Sequence, residues 1–180
     1  MDQQQLLAQL TPVFCEQGYE GATLTRLAAA TGLGKASLYH HFPGGKAEIA
    51  SSLLRLATAE LDQRAFSQLH RKGKPAARLA AFIDGFAEYA GQGTRPCLIG
   101  ALAQGAAWDT HQGELAQQFE RWTDTLAATF EQAGAKPKRA RREADALLAA
   151  LYGSLQLARL RGQPKLFRQR IKALKRALAD

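Results

Sequence analysis

Cysteine and β-branched residues are scarce in this chain. Its 180 residues include two cysteines, Cys15 and Cys97, and a single valine, Val13. Because strands are enriched in valine and isoleucine, this scarcity argues against a β-sheet fold. Two well-separated cysteines are too few for a disulfide scaffold or a zinc site, so we expect a protein of the reducing cytoplasm that holds no metal and no cofactor.

Long apolar runs are also missing. The most apolar segment, residues 147–158, is interrupted by Gly153, Ser154 and Gln156 and is too short for a transmembrane helix. The first five residues lack the basic start and the apolar core of a signal peptide. We therefore expect no membrane association and a cytoplasmic location.

The chain does contain apolar residues at helical spacing, in segments that end at glycine. Such segments stop at Gly18, Gly32, Gly134 and Gly162, and the residues between them are mostly good helix formers. The pattern predicts an all-α fold of about nine helices. Three short helices come first, and a bundle of longer helices follows.

The formal net charge of +8 favours a polyanionic partner, but the charge is unevenly distributed. Residues 1–60 contain four Lys or Arg and five Asp or Glu, a net charge of −1, and the excess lies in residues 71–78, 136–142 and 161–176. Charge alone would therefore predict a basic, non-specific nucleic-acid protein that binds through its C-terminal half. The motif described next points instead to the N-terminal half.

Residues 23–49 contain the pattern of a helix-turn-helix. Two helices of about seven residues are joined by Gly32-Leu33-Gly34, and glycine suits such a turn because it accepts positive φ. No acidic residue occurs from Gly21 to Ala47, as expected of a surface that faces phosphates. Short helices joined by a glycine turn are also common in all-α proteins, so this geometry alone leaves a purely structural role open.

The third helix has a predictable buried face. Leu38 and Phe42 lie one turn apart, and this pair marks the inward side. The opposite side is small and polar, which suits entry into a major groove, where Ser37 and His40 would face bases and Tyr39 would hold a phosphate. The residues expected to contact DNA from this helix and its flanks are Lys35, Ala36, Ser37, Tyr39, His40 and Lys46.

The order of residue types across this segment is distinctive. It reads Thr25, Leu27-Ala28, Gly32-Leu33-Gly34-Lys35-Ala36, Ser37-Leu38-Tyr39-His40-His41-Phe42 and Lys46. In this order the segment resembles the DNA-binding signature of the TetR/AcrR family of transcriptional regulators. The likeness, which covers about the first fifty residues, brings Thr25 and the neighbouring cation Arg26 into the expected DNA-binding set. Two departures are Gly34, where the family usually has a serine N-cap, and Ala36, where it often has glycine.

A finer likeness is to the LmrA/YxaF-like branch, carried by residues 42–46 and by Arg95-Pro96-Cys97. The family resemblance implies a DNA-binding domain over residues 1–47 and a ligand-binding and dimerisation domain over residues 48–180. It also implies a repressor that leaves double-stranded operator DNA when a small hydrophobic effector binds. Such a protein is a homodimer and not an enzyme.

Catalytic and metal-site patterns do not compete with this interpretation. Gly44-Gly45-Lys46 lacks the earlier glycine and the following Ser or Thr of a Walker A motif. The four histidines have no metal-ligand spacing, and nothing in the spacing of Cys97 and His111 supports a nucleophile and its base. The alternative function is a small-molecule-binding helical protein or enzyme with an incidental helix-turn-helix.

Aromatic and apolar residues of the C-terminal region could line a pocket between helices. Plain core packing is the competing interpretation for each of them. The candidate ligand-binding residues are Phe82, Phe86, Tyr89, Leu102, Gln104, Trp108, Trp122, Leu126 and Tyr152.

The last two helices are the expected dimer interface. One carries an apolar stripe with small residues beside it, among them Ala150, Gly153 and Ser154, which would allow close helix approach. Two such helices from each subunit would form a four-helix interface. The residues assigned to it are Leu147, Leu151, Leu155, Ala158, Phe167, Ile171 and Leu174.

Overall fold

The computed structural model describes residues 2–104 and 106–178, apart from the side chains at 106–108, 110 and 111. Over this part of the chain it contains nine α-helices and no strand, which confirms the all-α prediction. The helices are α1 (Gln3–Gly21), α2 (Leu24–Thr31), α3 (Lys35–His41), α4 (Gly45–Arg64), α5 (Pro75–Tyr89), α6 (Leu98–Leu102), α7 (Ala106–Gln132), α8 (Pro137–Leu160) and α9 (Pro164–Ala177).

Local residue chemistry sets many of the helix ends. Pro75, Pro137 and Pro164 each occupy the first turn of their helix, where a missing N–H costs nothing. Asp2 caps α1 by accepting a hydrogen bond from the backbone N–H of Gln5 at 2.7 Å. Helix α2 ends at Gly32, whose φ of 67° places it in the left-handed region that glycine favours.

The sequence pattern predicts a fourth helix from about Lys46 to His70, and the observed helix is shorter. It ends at Arg64, and Phe66–His70 form a 3₁₀ turn that buries Phe66 and Leu69. Helix α5 passes very close to this point, because a Cβ atom added to Gly85 would lie 2.0 Å from the carbonyl oxygen of Arg64. Only glycine permits so close an approach between two backbones.

The chain packs as two compact units. The first comprises Met1–Ala59 and Pro96–Leu115, and its core includes Leu10 and Phe14 of α1. The second comprises Glu60–Arg95 and Ala116–Asp180, and Phe167 is fully buried there. These units group residues by packing, whereas the predicted boundary after residue 47 separates segments by function. Among the described residues, no helix combines the length and hydropathy needed to span a bilayer.

Candidate nucleic-acid interface and ligand site

Helices α2 and α3 form the helix-turn-helix. Thr23 begins α2 as its N-cap, since its hydroxyl oxygen accepts a hydrogen bond from the Arg26 backbone N–H at 3.3 Å. The buried Thr31 closes α2 by donating its hydroxyl to the Leu27 carbonyl at 3.0 Å. Gly34 begins α3 without a side-chain cap, as its lack of a side chain requires. The start of α3 is therefore set by the extended backbone of Gly34 and not by a side-chain cap.

Helix α3 presents the predicted face to solvent. Leu38 and Phe42 are buried, at 1% and 0% exposure, so the inward side is the one that periodicity indicated. The residues of α3 predicted to contact DNA, Lys35, Ala36, Ser37, Tyr39 and His40, are all exposed. Contact of these side chains with DNA stays a prediction.

Tyr39 lies against the start of α4. Gly45, the first residue of α4, has a φ of 61°, and a Cβ atom there would lie 3.2 Å from the Tyr39 ring. Both the conformation and the close ring therefore favour glycine at this position. The Tyr39 ring therefore rests on the start of α4 while the side chain stays 46% exposed.

Lys46 has a more specific environment than the sequence indicates. Its ammonium donates to the Tyr19 carbonyl at 3.0 Å and lies 4.2 Å above the centre of the Tyr19 ring. Burial, followed by the charge of Glu20, raises the pKa of Tyr19, so this ring is neutral near pH 7. An ammonium has three N–H donors, so Lys46 retains donors for a phosphate beyond the one that anchors it to α1.

The remaining predicted DNA contacts lie on α2. Thr25 is exposed, and the exposed Arg26 donates to the Gly21 carbonyl at 2.8 Å and to the Gln17 side chain at 3.0 Å. The first acid after the acid-free segment is Glu48, whose carboxylate accepts from the Gly44 backbone N–H at 2.6 Å. Sequence reasoning missed this interaction, which places a negative charge at the positive end of α4.

Six aromatic side chains of the second unit pack together as an aromatic cluster. Phe66 stacks on Trp122 with ring centres 4.9 Å apart and planes 7° apart, and it also meets Phe82 edge-on at 4.9 Å. Phe119 contacts Trp122 at 4.9 Å and Tyr152 at 5.6 Å. The aromatic cluster consists of Phe66, Phe82, Phe86, Phe119, Trp122 and Tyr152.

A carboxylate holds one ring of the aromatic cluster in place. Asp62 accepts a hydrogen bond from the indole N–H of Trp122 and, at 3.5 Å, one from the Gln118 amide. Sequence reasoning did not assign Asp62, Phe66 or Phe119 to the site. Phe66 carries no periodic signal because it lies in the 3₁₀ turn that follows α4.

The other predicted ligand-binding residues are divided between the two units. Tyr89 and Leu126 are buried in the second unit, and Leu102 is buried in the first. Gln104 is exposed and donates to the Gly100 carbonyl at 3.4 Å, so it turns back onto its own segment. The Trp108 side chain lies outside the described residues.

The structure corrects six of the seven predicted dimer contacts. The predicted stripe, which was expected to face a partner, faces the interior of its own chain and has no surface left to offer. Six of the assigned residues are buried, namely Leu147, Leu151, Leu155, Ala158, Phe167 and Ile171. The seventh, Leu174, is half-buried. Periodicity had identified the apolar side of α8 correctly, but that side fills the core.

The outward side of α8 carries the small residues. Together with α9 they border a groove of about 530 Å³, the small-residue groove, whose lining includes Ala149, Ala150, Gly153 and Leu157. Leu157 is 44% exposed, and Leu160 at the end of α8 is 84% exposed. This face therefore combines exposed leucines with a surface that permits close backbone approach.

The fold and the exposed face of α3 are those of an all-α regulator with an N-terminal helix-turn-helix. Residues 6–53 match the family described as "Bacterial regulatory proteins, tetR family". Residues 75–173, more than half of the chain, match "Transcriptional regulator LmrA/YxaF-like, C-terminal domain". The chain belongs to the TetR family of bacterial transcriptional regulators and to its LmrA/YxaF-like branch, which confirms the resemblance seen in the sequence.

Individual relatives agree with this assignment. The chain is 31% identical over 80 residues to the HTH-type transcriptional regulator LmrA of Bacillus subtilis, a match to 44% of this chain and 43% of that protein. A TetR transcriptional regulator from Chloroflexus aurantiacus has the same fold, with a TM-score of 0.82, 22% identity and coverage of 98% and 93% of the two chains. AibR, solved with isovaleryl coenzyme A and operator DNA, gives a TM-score of 0.68 at 21% identity over 82% of each chain. The matched segments span 30–60% of the length of the curated relatives.

Proposed function

We propose that this protein is a homodimeric repressor that binds double-stranded operator DNA and leaves it when a small hydrophobic molecule binds. The observation that carries the proposal is the exposed, small and polar face of α3 within a segment that has no acid from Gly21 to Ala47. Residues 1–47 would read DNA, and residues 48–180 would bind the effector and the second subunit. Its role is in regulation rather than catalysis, and its place is the cytoplasm.

The DNA-binding set divides by chemistry. Ser37 and His40 face base edges, to which hydroxyl and imidazole groups can hydrogen-bond. Tyr39 and Lys46 hold phosphates, and Lys35 extends the cationic flank of α3. Thr25 and Arg26 contact the backbone from α2. Ala36 takes no part in hydrogen bonding, but its small side chain allows the helix to approach the floor of the groove.

Binding-site selection from a pool of random duplexes tests the DNA-binding proposal. The wild type should enrich one near-palindromic sequence, because two recognition helices of a twofold dimer enter successive major grooves about 34 Å apart. Ala36→Trp should weaken binding to that sequence by roughly 100-fold, since the indole fills the space that the groove floor needs. Ala76→Trp, at an exposed alanine of α5, is the matched control and should bind like the wild type.

Two outcomes would contradict the proposal. Enrichment of no sequence, with binding that depends on salt alone, would point to a non-specific basic protein. Wild-type affinity in a folded Ala36→Trp variant would show that α3 does not enter the groove in this orientation.

The subunits associate through the outward side of α8 and α9. The small-residue groove lets two helices come close, and Leu157 and Leu160 supply apolar area that a single chain leaves exposed. A second copy of the chain is the proposed occupant because operator recognition needs two helix-turn-helix units. Sedimentation should show a dimer for the wild type and a monomer for the double variant Leu157→Glu/Leu160→Glu.

The aromatic cluster is the proposed ligand-binding region. AibR, a protein of the same fold, was solved with isovaleryl coenzyme A and operator DNA, which supports a small-molecule site in this fold. Aromatic side chains favour a ligand that is itself aromatic or otherwise apolar, and such a ligand would have to part the packed rings to enter. Trp122 makes the region observable, because its stacked indole should change fluorescence when a ligand enters.

A screen that uses fluorescence and operator release together tests the ligand proposal. An effector should lower operator affinity by 5–150-fold, the usual range of allosteric coupling, and operator DNA should weaken effector binding by the same factor. Trp122→Phe retains an aromatic ring and should remove the fluorescence change that Trp122 reports. If Phe86→Leu and Trp122→Phe both bind an active effector with wild-type affinity, the effector site lies elsewhere.

A further inference from the structure

We propose that a second groove, on the flank of α9, binds a small polyanion that carries several phosphate or carboxylate groups. This basic groove has a volume of about 510 Å³ and lies where α9 packs beside α5 and the turn Gly91–Gly93. Its charged lining consists of Arg168, Lys172, Lys175, Arg176 and Asp84. None of its lining residues belongs to the predicted DNA-binding set or to the aromatic cluster.

The charges in the basic groove are unbalanced. Lys175 pairs with the one lining carboxylate, Asp84, at 2.8 Å. Arg168, Lys172 and Arg176 are exposed, and none of them has a carboxylate partner among the described residues. Within the described part of the chain, three cations therefore share one concave surface, and its single carboxylate, Asp84, is paired with Lys175. An anion that met all three would gain charge-assisted hydrogen bonds from each.

The turn beside α9 holds the groove in shape. A Cβ atom added to Gly93, whose φ is 92°, would lie 2.8 Å from the Phe167 side chain, so the turn packs directly on the helix. Gln92 is the only non-glycine residue with positive φ among the described residues, and its carbonyl accepts from Arg168 at 3.4 Å. A strained residue that contacts a lining cation is consistent with a preformed site rather than a loose surface.

The size and shape of the groove favour a small ligand. Small-molecule sites measure about 300–1,000 Å³, and this groove lies within that range. A nucleic-acid duplex needs cations that protrude along a track, because its backbone is convex. The cations Arg168, Lys172 and Arg176 lie in a row along α9, one helical turn apart, and all line one depression.

Titration calorimetry with sodium tripolyphosphate tests the proposal. The full-length protein is titrated at constant ionic strength, with sodium chloride as the reference salt. Arg168→Gln/Lys172→Gln should weaken tripolyphosphate binding by tenfold or more. Lys138→Gln/Arg142→Gln removes the same two charges at the same i, i+4 spacing from an exposed part of α8, and should change the affinity less than twofold.

A variant that is expected to bind tripolyphosphate more tightly distinguishes an effect on binding from an effect on folding. Asp84→Asn removes the competing carboxylate and releases Lys175, so it should tighten tripolyphosphate binding severalfold. A misfolded variant would not gain affinity, which makes this result a check on the losses seen elsewhere.

Three results would overturn the proposal. The first is a wild-type titration no larger than that of the reference salt. The second is an equal loss in the α9 and α8 double variants, which would mean that only total charge matters. The third is that Arg168→Gln/Lys172→Gln lowers affinity for a random 30-base-pair duplex while tripolyphosphate binding is unchanged, which would assign the groove to nucleic acid.

Discussion

The segment predicted to bind DNA, residues 21–47, and the C-terminal half of the chain differ in how their positive charges are balanced by acids. Residues 21–47 contain three cations and no acid. The C-terminal half is richer in cations but also contains acids that neutralise some of them, as where Arg141 pairs with Glu120 at 2.7 Å and with Asp124 at 2.5 Å. The comparison teaches that the absence of acids, more than the number of bases, marks the surface predicted to face phosphates.

The same two regions differ in what their side chains do for stability. On α3 the proposed functional residues are exposed, so they can change without loss of the fold. In the second unit, close packing at Gly85 and the buried leucines of α8 leaves little freedom. Changes in the first region should therefore alter DNA binding alone, and buried changes in the second should alter stability.

The largest expected effect is that of Leu155→Glu. Leu155 is 3% exposed, so a carboxylate there would lose its hydration, and the free energy of unfolding should fall by more than about 3 kcal/mol. Thermal melting followed by circular dichroism measures the loss. Leu157→Glu, two residues along and 44% exposed, should keep its helical circular dichroism and lose only the stability that association of the subunits adds. If a folded Leu155→Glu variant sediments as a monomer, the correction to the dimer face is wrong.

Gly85→Ala should have the next largest effect. Its methyl group would lie 2.0 Å from the Arg64 carbonyl oxygen, so α5 must move, at a cost of about 2–3 kcal/mol in stability. Gly113→Ala is the matched control. Gly113 lies within α7 with open space around its Cβ position, so alanine there should stabilise the protein by about 0.5–1 kcal/mol. Urea unfolding of both variants measures the difference, and equal changes would refute the close approach.

Lys46→Ala should have a moderate effect on operator binding. Loss of one phosphate contact should reduce the slope of log affinity against log salt by about one unit. Fluorescence anisotropy over a salt series measures the slope, and the exposed Lys35 supplies a comparison through Lys35→Ala. An unchanged slope in Lys46→Ala, accompanied by a small loss of stability, would make Lys46 a structural tether to Tyr19 rather than a phosphate ligand.

The smallest expected effect is the pH dependence that Arg95 gives to stability. Hydrogen bonding from Arg95, at 2.7 Å to both carboxylate oxygens, lowers the pKa of Glu60 despite partial burial, and the charges of Arg95 and Arg64 act in the same direction. A lowered pKa in the folded state stabilises the protein above the ordinary glutamate pKa of about 4.3, and this stabilisation is lost as the pH falls through the folded-state value.

Arg95→Met should therefore lower the free energy of unfolding at pH 7 by about 1 kcal/mol, since solvent screens a partly exposed pair. The difference from the wild type should shrink towards pH 3. Arg142→Met removes an exposed arginine that has no carboxylate partner among the described residues, and it should show no such pH dependence. A pH-independent difference for Arg95→Met would mean that its packing, and not its charge, matters.

The sequence was a good guide where local chemistry decides the outcome. Prolines 75, 137 and 164 mark the starts of three helices, and the spacing of Leu38 and Phe42 predicts the buried side of α3. These features depend on backbone geometry and on helical periodicity, both of which can be read from a few neighbouring residues.

The sequence was a poor guide to features that depend on contacts between distant segments of the chain. Periodicity shows that Leu151 and Leu155 lie on an apolar side, but not whether that side meets the same chain or a partner. Asp62 and Trp122 are sixty residues apart, and their hydrogen bond has no local signal. The contact between Lys46 and Tyr19 likewise joins residues 27 positions apart.

The anchoring of Lys46 has a mechanical consequence for the first unit. Its ammonium fastens the first turn of α4 to the carbonyl of Tyr19 in α1, and the Tyr39 ring of α3 rests against Gly45 in that same turn. The first turn of α4 therefore contacts both α1 and α3. A displacement of the first turn of α4 would then act on both α1 and α3 through these two contacts.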